Sequence, residues 1–264
     1  MSHNFVKSVL VLFLNLILLV AVSSCATSRS SWTGNSSHTS VFTFRHAYAN
    51  AHLIKLDEKS FIMVDSGGYE KAADLESDLI ENKIDPTYIK AIILTHGHWD
   101  HAAGAKYFQD KYQIPVVAGV GDQHLLEQGK SETLCPTSFF AKLRLKDDEA
   151  MVFKSPNITK WISEKTNLKD LLGFDVEVIP LPSHTNGSLA VISGNIAFVG
   201  DLFRGAIVGS APETHFYICD LASNRQYIEE FLKTDGKNIE HFFTGHFGPV
   251  FERSAVVDFF DLKL

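Results

Sequence analysis

Residues 96–101 read His-Gly-His-Trp-Asp-His, directly after Ile89-Lys90-Ala91-Ile92-Ile93-Leu94-Thr95. The preceding run is short, apolar and rich in β-branched residues, as buried strands are. A strand that feeds a loop gives a metal site the rigid base it needs. Residues two apart in an extended loop point the same way. His96 and His98 can therefore serve one ion, while Asp100 and His101 turn toward a second.

Working outward, the same arrangement recurs. Strands are expected at 41–45, 51–56 and 60–65, the last ending on Asp65-Ser66-Gly67-Gly68. A helix is expected at about 70–82, with Ala72, Leu75, Leu79 and Ile80 on one face. A second helix should run from the His-rich loop to Tyr112, followed by a strand at 115–118. Later strands are expected at 176–181, 189–193, 196–200 and 239–244, with Gly194-Asn195 as a two-residue hairpin turn. Helices are expected at 224–233 and 255–263. His184, Asp201 and His246 each follow one of these strands, beside glycine or another small residue. If the strand ends are parallel, all four clusters meet in one place. Residues 121–172 offer helical pieces (122–128, 136–145, 158–172) and no clear strand. They read as a helical insertion over the face of the domain.

His-Gly-His-Trp-Asp-His resembles the His-x-His-x-Asp-His motif of the metallo-β-lactamase superfamily. Ser183-His184-Thr185-Asn186-Gly187-Ser188, Gly200-Asp201 and Gly245-His246 resemble its later motifs in the same order, and Asp65-Ser66-Gly67 its early Asp-Thr-Gly turn. The resemblance covers about residues 42–250, leaving 121–172 unmatched. It implies an α+β fold, an αββα sandwich with metals at one edge. It also implies His96, His98 and His184 on one ion, Asp100, His101 and His246 on the other, and Asp201 between them. Asp65 is expected to orient ligands. Two zinc ions are the default for such a ligand set, with iron or manganese as substitutes. Two departures stand out: Ser183 replaces a usual glycine and Asn186 a common proline. They should alter the loop without losing the ligand.

Paired ions of this kind acidify a water held between them, which then attacks a carbonyl. The expected activity is therefore hydrolysis of an ester, lactone, thioester or lactam, with Asp100 also moving a proton. Trp99, Arg204, His215 and Tyr217 are candidate substrate residues at the mouth. Phe139, Phe140 and Trp161 could form an apolar lid. His38, His46, His52, His124 and His241 read as ordinary. Two other readings use the same ligands: a non-haem iron redox enzyme, and a non-catalytic metal-binding surface lipoprotein. Asp201 resembles the glyoxalase-like and lactonase-like branches. Glyoxalase-type thioesterases carry a helical C-terminal extension for glutathione, whereas 18 residues follow His246 here.

The N-terminus adds a compartment. Lys7 precedes an apolar run of 14 residues, Val9 to Val22, interrupted by Asn15. A bilayer span takes about 20 residues, so residues 1–24 read as a signal peptide. Val22-Ser23-Ser24-Cys25 resembles a bacterial lipobox with Cys25 as the lipidated residue. Residues 25–40 are Ser/Thr/Gly/Asn-rich and read as a flexible tether, and 41–264 as the domain. The expected location is the periplasmic side of a bacterial membrane, lipid-anchored, with a soluble periplasmic or secreted form as the alternative. The full chain carries a net −7, and cleavage after Ser24 removes one cation, Lys7, and no acid. That balance excludes nucleic acid as a main partner and leaves a small-molecule substrate. Cys135 and Cys219 are free to pair or to stay apart in such a compartment.

Overall fold

The computed structural model describes residues 28–34, 40–46, 48–248 and 250–262. The apolar run 9–22, Cys25 and His38 lie outside them. Two sheets form the centre. The first contains β1 (Ser28–Thr33), β2 (Ser40–His46), β3 (Ala49–Asp57), β4 (Ser60–Val64), β5 (Ile89–Ile93), β6 (Val116–Gly119) and β7 (Lys160–Ile162), in that order. The second is built from β8 (Thr166–Asn167), β9 (Glu177–Pro180), β10 (Leu189–Ser193), β11 (Ile196–Phe198), β14 (His241–Phe243) and β15 (Val250–Glu252). Between β11 and β14 in sequence, β12 (Arg204–Gly205) and β13 (Pro212–Glu213) form a separate ribbon. The helices are α1 (Ala72–Glu81), α2 (Trp99–Tyr112), α3 (Gln123–Gln128), α4 (Phe139–Glu149), α5 (Lys169–Leu172), α6 (Leu221–Lys233) and α7 (Arg253–Phe259).

The strand sequences explain the layering. Side chains alternate across a sheet, and the central strands are apolar on both faces. In β4, Phe61 and Met63 join a core under α1 and α2, while Ile62 and Val64 face the second sheet. In β10, Leu189 and Val191 face the first sheet, while Ala190 and Ile192 join a third core under α6 and α7. Fully burying one such large side chain contributes about 1.5–3 kcal/mol, against local propensities below about 0.7 kcal/mol. Burial therefore decides the layers, and the result is the αββα sandwich.

Chain direction then collects the site. β4, β5 and β6 are mutually parallel, so Asp65 and the 96–101 loop leave the same sheet edge. β9 and β11 both run antiparallel to β10, and β14 is parallel to β11. The segments holding His184, Asp201 and His246 thus leave one edge of the second sheet. The two edges are stitched together where Asn50 N–H donates to Gly245 O (2.7 Å) and Leu189 N–H to Thr95 O (2.7 Å).

Two expectations are corrected. Residues 28–33, read as tether, are an edge strand paired antiparallel with β2. Their composition hid this because an edge strand is held largely by backbone hydrogen bonds, with Trp32 packed against the inter-sheet core. Residues 158–172, read as helix, form β7, β8 and only the short α5. β7 adds parallel to β6, with Ile162 buried between the sheets, and β8 pairs with β9. Trp161 packs on the core under α1 and α2 instead of forming a lid. In both places side-chain period was too short to tell strand from helix or loop.

His52 shows what an ordinary buried histidine does here. Its Nε2–H donates to Thr244 O (3.0 Å), its other ring nitrogen meets Thr43 Oγ1 (2.9 Å), and Phe198 and Phe243 pack on it. Burial lowers its pKa to about 4. The unfolded chain then binds a proton that the native state refuses between pH 6.5 and 4. His52 therefore contributes full stability above pH 6.5 and loses up to about 3 kcal/mol as pH falls through that window. A His52→Gln variant is expected to be weaker at pH 7 but to show a shallower acid slope in urea unfolding. Parallel slopes for the two proteins would contradict this.

Candidate metal centre

Asp201 is the hub. One carboxylate oxygen, Oδ2, lies 3.6 Å from His96 Nε2, 3.4 Å from His101 Nε2, 3.6 Å from His184 Nε2 and 3.2 Å from His246 Nε2. Asp100 Oδ2 stands 3.4 Å from His246 Nε2 and 3.8 Å from His101 Nε2. His98 completes the ring from the far side, its Nδ1 3.0 Å from His184 Nε2. All seven residues singled out from the sequence converge. All but Asp100 are buried. Gly245 must be glycine because a Cβ there would collide with Asp201 Oδ1 and His101 Cε1.

The outward nitrogen of each ring fixes its tautomer. His101 Nδ1–H donates to Asp65 Oδ2 (2.9 Å), and His184 Nδ1–H to the Tyr217 carbonyl (2.8 Å). His246 Nδ1–H donates to the Tyr48 carbonyl (2.9 Å), and His98 Nε2–H reaches Glu132 Oε1 (3.4 Å). Thr95 Oγ1 donates to Asp65 Oδ2 (2.7 Å), so toward His96 Nδ1 (3.1 Å) it accepts. In these neutral tautomers the inward nitrogens of all five rings are available as lone-pair donors. Two pairs of lone pairs face each other, His98 with His184 at 3.0 Å and His101 with His246 at 3.1 Å. Such contacts repel unless a proton or a metal ion lies between them. His96 Nε2 and Asp201 Oδ1, buried without a hydrogen-bond partner, are left for the same purpose. The donor set, nitrogen and carboxylate oxygen, suits a transition metal such as zinc.

Electrostatics agree. Burial holds His96 and His184 well below the ordinary histidine value. At His101 burial is outweighed by Asp201, Asp100 and Asp65, and its pKa stands well above that value. His246 and His98 are likewise raised against burial, through Asp201 and Glu132. Burial would raise Asp201, but His215, His246, His101 and His96 hold it well below the usual carboxylate range. The centre is a negative hub that attracts positive charge.

A sequence model of the metallo-beta-lactamase superfamily matches residues 46–246. The chain belongs to this superfamily. It is therefore a hydrolase of that fold, and the superfamily binds metal ions, typically zinc. Hydroxyacylglutathione hydrolase GloC of Haemophilus influenzae is 27% identical over 168 residues, which are 60% of this chain and 68% of that protein. The probable metallo-hydrolase MJ0888 of Methanocaldococcus jannaschii is 26% identical over 208 residues, 78% of this chain and 91% of its own. Among solved structures, metallo-β-lactamase SMB-1 superposes with TM-score 0.60 at 18% identity, covering 84% of this chain and 82% of its own. MIM-1 of Novosphingobium pentaromativorans gives 0.56 at 16% identity, with coverage of 78% and 73%. At these identities the structural likeness shows the fold alone.

Within the superfamily pattern, the expected departures leave the ligand in place. Ser183 Oγ accepts from Asn224 Nδ2 (2.7 Å), and His184 still faces inward. Asp65 does orient a ligand: at φ +58, which aspartate tolerates, it accepts from Thr95 N–H (2.7 Å), Thr95 Oγ1 and His101. Asp122 is a residue the sequence did not reveal. Its carboxylate accepts from Gly97 N–H (2.7 Å), Thr185 Oγ1 (2.8 Å) and Gly187 N–H (2.8 Å), tying the 96–101 loop to the His184 loop. Glu132 was also unforeseen, since only the fold brings it to His98. No local motif announces either one.

A cavity of about 580 Å³ opens on the metal centre. Trp99, Tyr217 and His215 line it as expected. His215 goes deeper than the mouth: buried, its Nε2 lies 3.0 Å from Asp201 Oδ2. Together with His184 and Asp201 it forms a further group able to hold an ion. Arg204 does not line the cavity. It is buried, pairs with Glu213 and stacks on Phe216 at 4.0 Å. Of the expected lid, Phe140 lines the cavity and Phe139 stays outside it. His46, His52, His124 and His241 lie outside the metal-binding groups.

Proposed function

We propose that this chain is a two-zinc hydrolase that cleaves an ester, lactone, thioester or lactam carbonyl. One observation supports it above the rest: two opposed pairs of imidazole lone pairs flank a single ionised carboxylate, a donor arrangement suited to two cations. His96, His98 and His184 would hold one ion and Asp100, His101 and His246 the other, with Asp201 shared. When bound, zinc supplies an acidified water and a polarised substrate oxygen. The chain's own residues do the rest. Asp65, Glu132 and the Tyr48 and Tyr217 carbonyls lock the imidazole tautomers, so the ligands need no reorganisation. Asp100 is the one partly exposed member and lines the cavity, which suits it to pass a proton to the departing group. The ligands other than Asp100 are buried, which strengthens each charge interaction around them.

Purified protein is expected to contain about two equivalents of zinc and to turn over at least one member of a panel of chromogenic lactams, lactones, esters and thioesters. Bound iron without hydrolysis would favour the redox reading, and no transition metal at all would defeat both.

We also propose that the chain acts outside the cytoplasm, exported by its N-terminal segment and held through Cys25. Supporting this, Cys135 and Cys219 form a disulfide, and disulfides persist in oxidising compartments.

A further inference from the structure

The cavity beside the metal centre has a chemistry of its own. Its walls include Trp99, Leu134, Phe140, Val208, Phe216 and Phe247. Among the described residues that line it, Arg144 is the single lysine or arginine. That cation is paired: its Nη2 meets Asp148 Oδ1 at 2.9 Å, and Tyr217 Oη donates to Asp148 Oδ2 at 2.6 Å. Asp100 and Asp201 at the inner end are committed to the metal centre. Away from the metal centre, an anionic substituent would have to compete with Asp148 for Arg144, at a cost. The apolar wall also continues outward. Phe140 and Val208 are 69% and 86% exposed, an arrangement that folding alone does not reward but a bound apolar group would.

We propose that this cavity binds an apolar, uncharged acyl chain next to the carbonyl that is cleaved, and selects against anionic peptide-like groups such as glutathione. The proposal rests on the hydrolase reading above and narrows its substrate class. Each methylene buried is worth about 0.8 kcal/mol, or about fourfold at full burial. A partly open cavity should return about two- to fourfold per methylene.

The test uses the zinc-loaded full chain with p-nitrophenyl acetate, butyrate, hexanoate and octanoate, and with S-lactoylglutathione. Specificity, kcat/KM, is expected to climb about two- to fourfold per methylene and to be lowest for the glutathione thioester. Phe140→Ser and Val208→Ser change exposed side chains, so folding should survive. Each should shrink the octanoyl-to-acetyl ratio by about fivefold or more. A flat chain-length profile, or preference for the glutathione thioester, overturns the proposal. Quenching of tryptophan fluorescence by octanamide and acetamide reads the cavity without turnover. Octanamide should bind at least about tenfold tighter, and equal binding overturns the proposal even if hydrolysis is intact. If octanamide binds selectively but no substrate class is hydrolysed, the hydrolase reading fails while the cavity's preference stands.

Discussion

Replacing Asp201 by asparagine is expected to lower kcat/KM by about 10³ or more for every responsive substrate and to reduce bound metal in the same sample. Oδ2 of this residue lies within 3.6 Å of Nε2 of His96, His101, His184, His215 and His246. Its charge is what the surrounding imidazoles sustain against burial. Asparagine keeps the shape and removes the charge, so circular dichroism should be unchanged. Loss of one preorganised electrostatic group at a reacting centre already costs about 10²–10³, and here a shared ligand goes as well. Asp65→Asn supplies the graded comparison. Asp65 touches His101 but not the inward face, and outer partners of this kind are worth about 10–100-fold. The order Asp201→Asn worse than Asp65→Asn is therefore part of the prediction. Full turnover with full metal content in Asp201→Asn would mean that this site is structural and not the seat of catalysis.

How far the sequence could be read depended on whether a residue's role is local. The apolar runs of β4, β5 and β10 are legible because both faces are buried, and the seven ligands because they lie in the segments that follow strands. Residues that act across the fold leave no such trace. Asp122 grips Gly97 and Gly187, which are 25 and 65 positions away. Glu132 reaches His98 across 34 positions. His215 was placed at the mouth because it follows Asp201, but only tertiary packing sets its depth. Arg204 was misplaced by the same proximity argument, since Glu213 and Phe216 draw it away from the cavity. The strands at 28–33 and 160–162 were missed because each owes its state to the edge it adds to. Neither stretch has a hydrophobic pattern long enough to override its composition.

The second large effect concerns Cys135 and Cys219, which the sequence left open between pairing and separate burial. Their Cα atoms are 4.8 Å apart, and 84 positions separate them. Closing a loop of that length removes enough unfolded-chain entropy to stabilise the native state by about 4–5 kcal/mol in the loop-entropy account. The bond is also set where position matters to the site. Beside it, Thr137 N–H donates to Phe216 O (2.8 Å), Ile218 N–H to Cys135 O (3.0 Å) and Thr137 Oγ1 to His215 O (2.7 Å). This clamp joins the segment leading into α4, a cavity wall, to the segment that carries His215 and the Tyr217 carbonyl. That carbonyl fixes the His184 tautomer. A Cys135→Ser/Cys219→Ser variant is accordingly expected to melt about 10 °C lower. Its activity should fall further than the unfolded fraction explains, because His184 loses a firm partner. Zinc affinity measured below the melting transition separates the two effects. A variant that melts within about 2 °C of the parent and binds zinc equally well would show that the hydrogen bonds alone hold the clamp.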